Sequence, residues 1–149
     1  PEVLRDEAGI PVLAALVRAR RFLDSLDAKQ ELWVGGGFYK GGDVAKALAL
    51  GADAVFTASA LLIALGCTSC GQCHKSLCPV GIATQEPSLE EKINIEEASQ
   101  RAANFLKSCT EEVKMIAGAV GLNDIRNLRR EHLRSLDQFT SEITGIPTI

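Results

Sequence analysis

Apolar residues along positions 11–26, PVLAALVRARRFLDSL, recur with helical spacing. Leu13, Leu16, Val17, Phe22, Leu23 and Leu26 make much of one stripe, and Pro11 suits the first turn. Arg18, Arg20 and Arg21 crowd the same helix and read as solvated helix-face charges, as does Lys29. The period then changes. Leu32, Trp33 and Val34 form a short apolar run closed by Gly35, Gly36 and Gly37, the pattern of a buried parallel strand. Asp43 suits the N-cap of a helix over VAKALALGA, which Gly51 stops. DAVFTAS predicts a second short buried strand, and ALLIALG a further helix. Helix, strand, helix, strand, helix implies βα units joined by right-handed crossovers over a parallel sheet.

Beyond a cysteine-rich stretch, PVGIATQEPSLEEKINIEEA is polar and marked by prolines, and predicts a loop. From Ile95 to Val120 the helical period returns, with Ala98, Ala102, Phe105, Leu106, Val113, Ile116 and Ala117 on one side and Gly121 as a stop. Short helices are expected over Asn123–Arg130 and Glu131–Leu136, whereas the tail QFTSEITGIPTI carries no clear period. No repeat and no low-complexity segment interrupts the chain.

Composition narrows the class. The 149 residues are 46% hydrophobic and 23% charged, as in soluble globular proteins. A net charge of −3 does not call for nucleic acid as a partner. No apolar run reaches the ~18 residues of a membrane span. The start, PEVLRDEAGIPVL, lacks the basic-then-apolar order of a signal peptide, so a cytoplasmic location is expected. A whole (β/α)₈ barrel needs about 250 residues, so if barrel signals appear, a chain of this length can hold only part of one.

Two motifs carry candidate chemistry. The first is GGGFYKGGD, residues 35–43, which ends a strand and opens a helix. Glycines there let backbone amides approach a ligand, and the helix start favours an anion. Gly36 and Gly37 are candidate phosphate cradles, with Thr57, Ala58 and Ser59 beside them at the end of the second strand. The plainer alternative is a tight βα turn with no ligand. Lys40 reads as an exposed loop lysine.

The second motif is Cys67-x2-Cys70-x2-Cys73-x4-Cys78-Pro79, four of the five cysteines. Thiolates are soft ligands for iron–sulfur clusters and zinc. A ferredoxin run has the form C-x2-C-x2-C-x3-C-P, one residue shorter in its last gap, whereas structural zinc uses two separated knuckles. The compact spacing and closing Cys-Pro favour a cluster over zinc. His74 lies within the run and reads as a surface or supporting residue. Cys109 reads as a small buried residue.

GGGFYKGGDVAKALALGADAV resembles the last two βα units of the phosphate-binding barrels of glutamate synthase, inosine-monophosphate dehydrogenase and the FMN-dependent hydroxy-acid oxidases. That resemblance places Gly36, Gly37, Ala58 and Ser59 on the phosphate of FMN or a nucleotide. The chain departs from those families at Gly35, usually Ser or Asp, and at Ala58, usually Gly. Backbone contact to phosphate survives both changes. A side-chain contact at position 35 does not.

The cysteine block narrows the resemblance to the FMN barrel of glutamate synthase, archaeal-type, over about Ala8 to His132. In that family C-x5-C-x4-C-P-V-G-A/I-A-T-Q binds a [3Fe–4S] cluster, matched by Cys67, Cys73 and Cys78 and by Pro79, Gly81, Ala83, Thr84 and Gln85. Cys70 is an addition to that pattern, and a fourth thiolate suits a [4Fe–4S] cube.

The resemblance implies an α/β chain in three parts. Residues 1–66 correspond to the C-terminal βα units of the barrel, 67–88 to the iron–sulfur loop and 89–149 to a helical extension. It also implies a share in a flavin and iron–sulfur oxidoreductase that forms glutamate from 2-oxoglutarate and glutamine-derived ammonia. The implied partners are the remainder of the barrel or another subunit, an NAD(P)H-linked subunit or ferredoxin as electron donor, and a glutaminase component. The strands that would carry the isoalloxazine contacts and the catalytic Lys and Glu are not recognisable, so no residue here is assigned as acid or base. An electron-transfer module with a cluster alone, and a zinc-stabilised structural module, are the competing readings.

Overall fold

The fold is given by a computed structural model that describes residues 7–149; the first six residues of the segment 1–66 lie outside it. Helix α1 (Val12–Ser25) starts directly after Pro11, which caps it in an extended conformation. Strand β1 (Trp33–Gly35), helix α2 (Gly41–Ala49), strand β2 (Ala54–Phe56) and helix α3 (Ser59–Leu65) follow. A 3₁₀ turn (Cys73–Lys75) and the one-turn helix α4 (Pro87–Glu90) lead to the long helix α5 (Ile95–Ala119). Two further 3₁₀ turns (Ile125–Asn127 and Arg130–His132) and helix α6 (Gln138–Thr144) complete the chain.

The two strands pair in parallel, with Trp33 opposite Ala54, Val34 opposite Val55 and Gly35 opposite Phe56. The helix–strand alternation therefore produces a mixed α/β arrangement with a small parallel sheet. No helix among the described residues is long and apolar enough to cross a membrane.

Two packed clusters flank α2. Ala47 and Leu50 join Leu16 and Val17 of α1, Val34 of β1 and Ile146 of the tail. Ala45 and Ala49 face Val113 and Ala117 of α5 together with Leu128. An alanine-rich helix is thin enough to be covered on both sides. Gly41 carries this furthest, since a Cβ there would run into the Cys109 carbonyl and Glu112 of α5. Val17 is fully buried, a contribution of about 2 kcal/mol for a side chain of its size.

Several expectations are corrected. The strands are not buried on both faces: only Val34 is buried, while Trp33 and Phe56 are 55% and 57% exposed. Their rings meet in a tilted pair with centroids 5.5 Å apart. Parallel sheets are ordinarily covered on both sides, and here only the side carrying Val34 is packed against helices. Leu13 and Phe22 of α1, Leu26 at its C-cap, and Leu106 and Ile116 of α5 are also exposed, whereas Leu16, Val17, Val113 and Ala117 of the same stripes are buried.

Asp43 is not an N-cap. Gly41 and Gly42 extend α2 backwards, Lys40 caps it, and Asp43 falls in the first turn, where its charge suits the helix dipole. The two short helices expected after Gly121 are 3₁₀ turns. The tail holds helix α6, capped by Asp137, whose carboxylate accepts from the Thr140 amide at 2.7 Å. The polar segment before α5 contains α4, begun by Pro87.

Arg20 and Arg21 are more than solvated charge. Arg20 pairs with Asp24 at 2.8 Å and Asp53 at 3.4 Å, and its stem lies over Gly51. Asp53 in turn accepts from the Leu32 amide at 2.7 Å. Arg21 donates to the Thr144 carbonyl at 3.1 Å, joining α1 to α6.

Candidate functional site

Parallel pairing puts the turns after β1 and β2 at the same end of the sheet. Ligands bind at that end in open and closed α/β folds. Gly36 and Gly37 make the first turn with φ of +125° and +74°, a region in which side chains are strained. Ala58 caps α3 and Ser59 is its first residue. Thr57 Oγ1 donates to the Phe38 carbonyl at 3.0 Å, so the two turns are tied directly. Its hydroxyl, expected beside a ligand, is committed to holding the turns together.

Gly36, Gly37, Ala58 and Ser59 are all exposed. A Cβ on Gly37 would meet nothing within 4 Å. Both glycines of the first turn are thus uncovered. Behind the turns lies a cavity of about 250 Å³, walled by Phe38, Lys40, Val55, Thr57, Phe105 and Cys109. It does not include the four candidate phosphate residues. Burial, then the neighbouring Glu112 charge, push the Cys109 thiol up against a smaller opposing effect of the Gly41 amide. Cys109 is only partly buried, not the buried residue expected, and lines this cavity.

The cysteine stretch leaves α3 directly. Cys67 is half-buried and its sulfur accepts from the Ser69 amide at 3.3 Å. Cys70 and Cys73 are exposed, and Cys78 is buried. The Ala83 amide, followed by that of Val80, holds the Cys78 thiol below its ordinary range, with burial opposing and the Ile82 and Gly81 amides assisting. A thiol environment that favours the thiolate suits a metal ligand. His74 is exposed on the 3₁₀ turn.

No three Cys, His, Asp or Glu side chains converge on a metal-binding position among the described residues. The four thiols are chemically suited to an iron–sulfur cluster, and they are not gathered. Gly81 and Thr84 have structural tasks that the sequence motif did not explain. Gly81 packs against the backbone of Leu89, and Thr84 Oγ1 donates to the Ser76 carbonyl at 2.7 Å. A buried glycine with positive φ leaves no trace in the order of residues beyond the glycine itself.

Residues 1–123 match the family described as "Conserved region in glutamate synthase". The chain belongs to the glutamate synthase family. It is 41% identical to proteins named "Archaeal glutamate synthase (NADPH)" from Archaeoglobus fulgidus and Methanocaldococcus jannaschii, over 98% of this chain and 30% of each relative. A "Glutamate synthase large subunit-like protein" from Rhizobium meliloti is 37% identical over 98% of this chain and 37% of its own length. The chain thus spans about 30% of the length of the archaeal relatives it matches.

Proposed function

We propose that this region forms the last two βα units of a (β/α)₈ flavin barrel, residues 1–66, continuing into an iron–sulfur loop, residues 67–88, and a helical extension, residues 89–149. Together these parts serve a glutamate synthase-type oxidoreductase that makes glutamate from 2-oxoglutarate and glutamine-derived ammonia. The observation that carries the reading is the pair of exposed turns, Gly36–Gly37 and Ala58–Ser59, side by side at the carboxyl end of parallel strands, with four thiols leaving the very next helix.

In this reading the amides of Gly36, Gly37, Ala58 and Ser59 bind the FMN phosphate, a backbone role that tolerates the unusual Gly35 and Ala58. Cys67, Cys70, Cys73 and Cys78 ligate the cluster, the fourth thiol favouring [4Fe–4S] over [3Fe–4S]. Bound FMN supplies hydride chemistry and the cluster supplies single-electron relay. The exposed ring pair Trp33 and Phe56 lies on the sheet face that the remaining barrel strands cover, whether these belong to the same polypeptide or to another subunit. The relatives' names specify NADPH, which favours an NADPH-linked donor over ferredoxin. Ammonia comes from a glutaminase component.

Anaerobic purification followed by absorbance, flavin, iron, sulfide and zinc assays tests this. Full-length protein with bound flavin, iron and acid-labile sulfide supports the reading. Iron and sulfide without flavin overturn the barrel assignment and leave an electron-transfer module. Colourless protein with zinc overturns the redox role altogether.

A further inference from the structure

The cysteine loop is held at both ends and is least supported over residues 68–71. At its start, the Gly66 amide donates to Ile63 at 3.0 Å and the Cys67 amide to Leu62 at 2.9 Å. With Gly66 left-handed at φ 111°, this is a Schellman closure that fixes Cys67 at the end of α3. At the far end Cys78 is 4% exposed. The Gly81 amide donates to the Cys78 carbonyl at 3.3 Å. Gly81 is itself buried, with φ +81°, and sits so near α4 that a Cβ would come within 2.6 Å of the Leu89 carbonyl. Thr84 staples the return path, donating to Ser76 at 2.7 Å and accepting from the Glu86 amide at 3.1 Å.

Between these anchors, residues 68–71 make no backbone–backbone hydrogen bond among the described residues. Ser69 and Gly71 are left-handed, at φ 56° and 70°, and Cys70 and Cys73 face solvent. Cys73 opens the 3₁₀ turn, which the Ser76 amide closes onto the Cys73 carbonyl at 3.1 Å. A metal that uses all four thiols must take Cys70 and Cys73 out of solvent, and the ordering cost falls on residues 68–71.

We propose that the loop loads its metal asymmetrically: the fold sets Cys67 and Cys78 in place beforehand, and Cys70 and Cys73 are recruited from solvent as the metal binds. Gly81 and Thr84 then act as positioning residues for Cys78. The proposal rests on the iron–sulfur reading above.

Iodoacetamide labelling of the metal-free protein, read cysteine by cysteine by mass spectrometry, tests the anchors. Cys70 and Cys73 are expected to label about tenfold or more faster than Cys78, whose sulfur is out of reach behind local opening. Equal rates overturn the proposal. Reconstitution with ferrous iron and sulfide is then expected to protect Cys70 and Cys73 strongly while changing Cys78 little. Uptake of iron and sulfide without that protection overturns the proposal and leaves the cluster reading standing; absence of uptake overturns both. Thr84→Val is expected to speed labelling at Cys78 without changing Cys67, and Thr84→Ser to restore the slow rate. A uniform change at both cysteines, or none, overturns the positioning role of Thr84.

Discussion

Thr57 Oγ1 and the Phe38 carbonyl lie 3.0 Å apart, a bond between the residue that follows β2 and the turn that follows β1. It is partly shielded from water, and it joins the two backbone segments that present the candidate phosphate amides. Strand pairing alone leaves these turns free to splay. The hydroxyl couples them.

Thr57→Val removes this donor while keeping the branched shape. A stability loss of about 1 kcal/mol is expected, the usual net worth of one such hydrogen bond. Flavin affinity should weaken as well, because the two turns lose their common reference. Urea unfolding and FMN titration of full-length protein measure the two effects. Unchanged affinity alongside reduced stability would separate the tether from the ligand site.

Gly41→Ala tests the close approach of α2 and α5. The added methyl meets the backbone carbonyl of Cys109 and the stem of Glu112. Overpacking of this kind costs about 1–3 kcal/mol. Gly42→Ala is the control, since its Cβ would come no nearer than 3.9 Å, to the end of Ile116. Equal midpoints for the two variants in a denaturant series would refute the packing argument.

Acid sensitivity follows from Asp137 and Asp124. The Thr140 amide, then its hydroxyl, hold the Asp137 carboxyl below its ordinary value of 3.8. The Arg126 side chain does the same for Asp124, assisted by the Arg126 amide. A carboxyl depressed in the folded state stabilises above its unfolded pKa and loses that contribution as pH falls through the folded one. Stability contributed by these two groups is therefore present at neutral pH and disappears below about pH 4, within the carboxylate titration range. Asp137→Asn keeps an acceptor at the start of α6 without the charge. Its melting temperature is expected to fall less than that of the parent between pH 5 and pH 3, an outcome thermal scans decide.

Trp33 is the chain's single tryptophan and reports on the open sheet face. In this chain alone its fluorescence should be readily quenched by acrylamide. In an assembly where further strands cover the face, quenching should drop and emission shift to the blue, as burial of an aromatic ring requires. Equal quenching in the chain alone and in full-length protein would exclude Trp33 from the covered surface.

Much of the architecture was legible along the chain. The glycines at 36, 37, 51 and 121 follow the elements they were expected to close, and these stops agree with the structure because local backbone geometry decides them. Helix α5 was readable from its stripe, and its inward members Ala98, Val113 and Ala117 are buried. The tail was not readable. Helix α6 has only seven residues, too few for a period, and it is held by Asp137, by Arg21 and by Ile146 in the core. The sheet face misled for a related reason: an apolar run marks a strand, and it cannot say whether both faces are covered within the same chain.

The amino-acid order by itself determined the alternation of elements, the glycine turns and the four thiols spaced through twelve residues. These are local properties, set by backbone sterics and by which side chains stand near one another in the chain. Only the tertiary structure decided that Trp33 and Phe56 lie bare, that Thr57 joins the two turns, and that Cys78 is buried while Cys70 and Cys73 face water. Those outcomes depend on contacts between segments far apart in sequence. Burial is a property of what packs against a residue, and hydrophobicity records only its tendency.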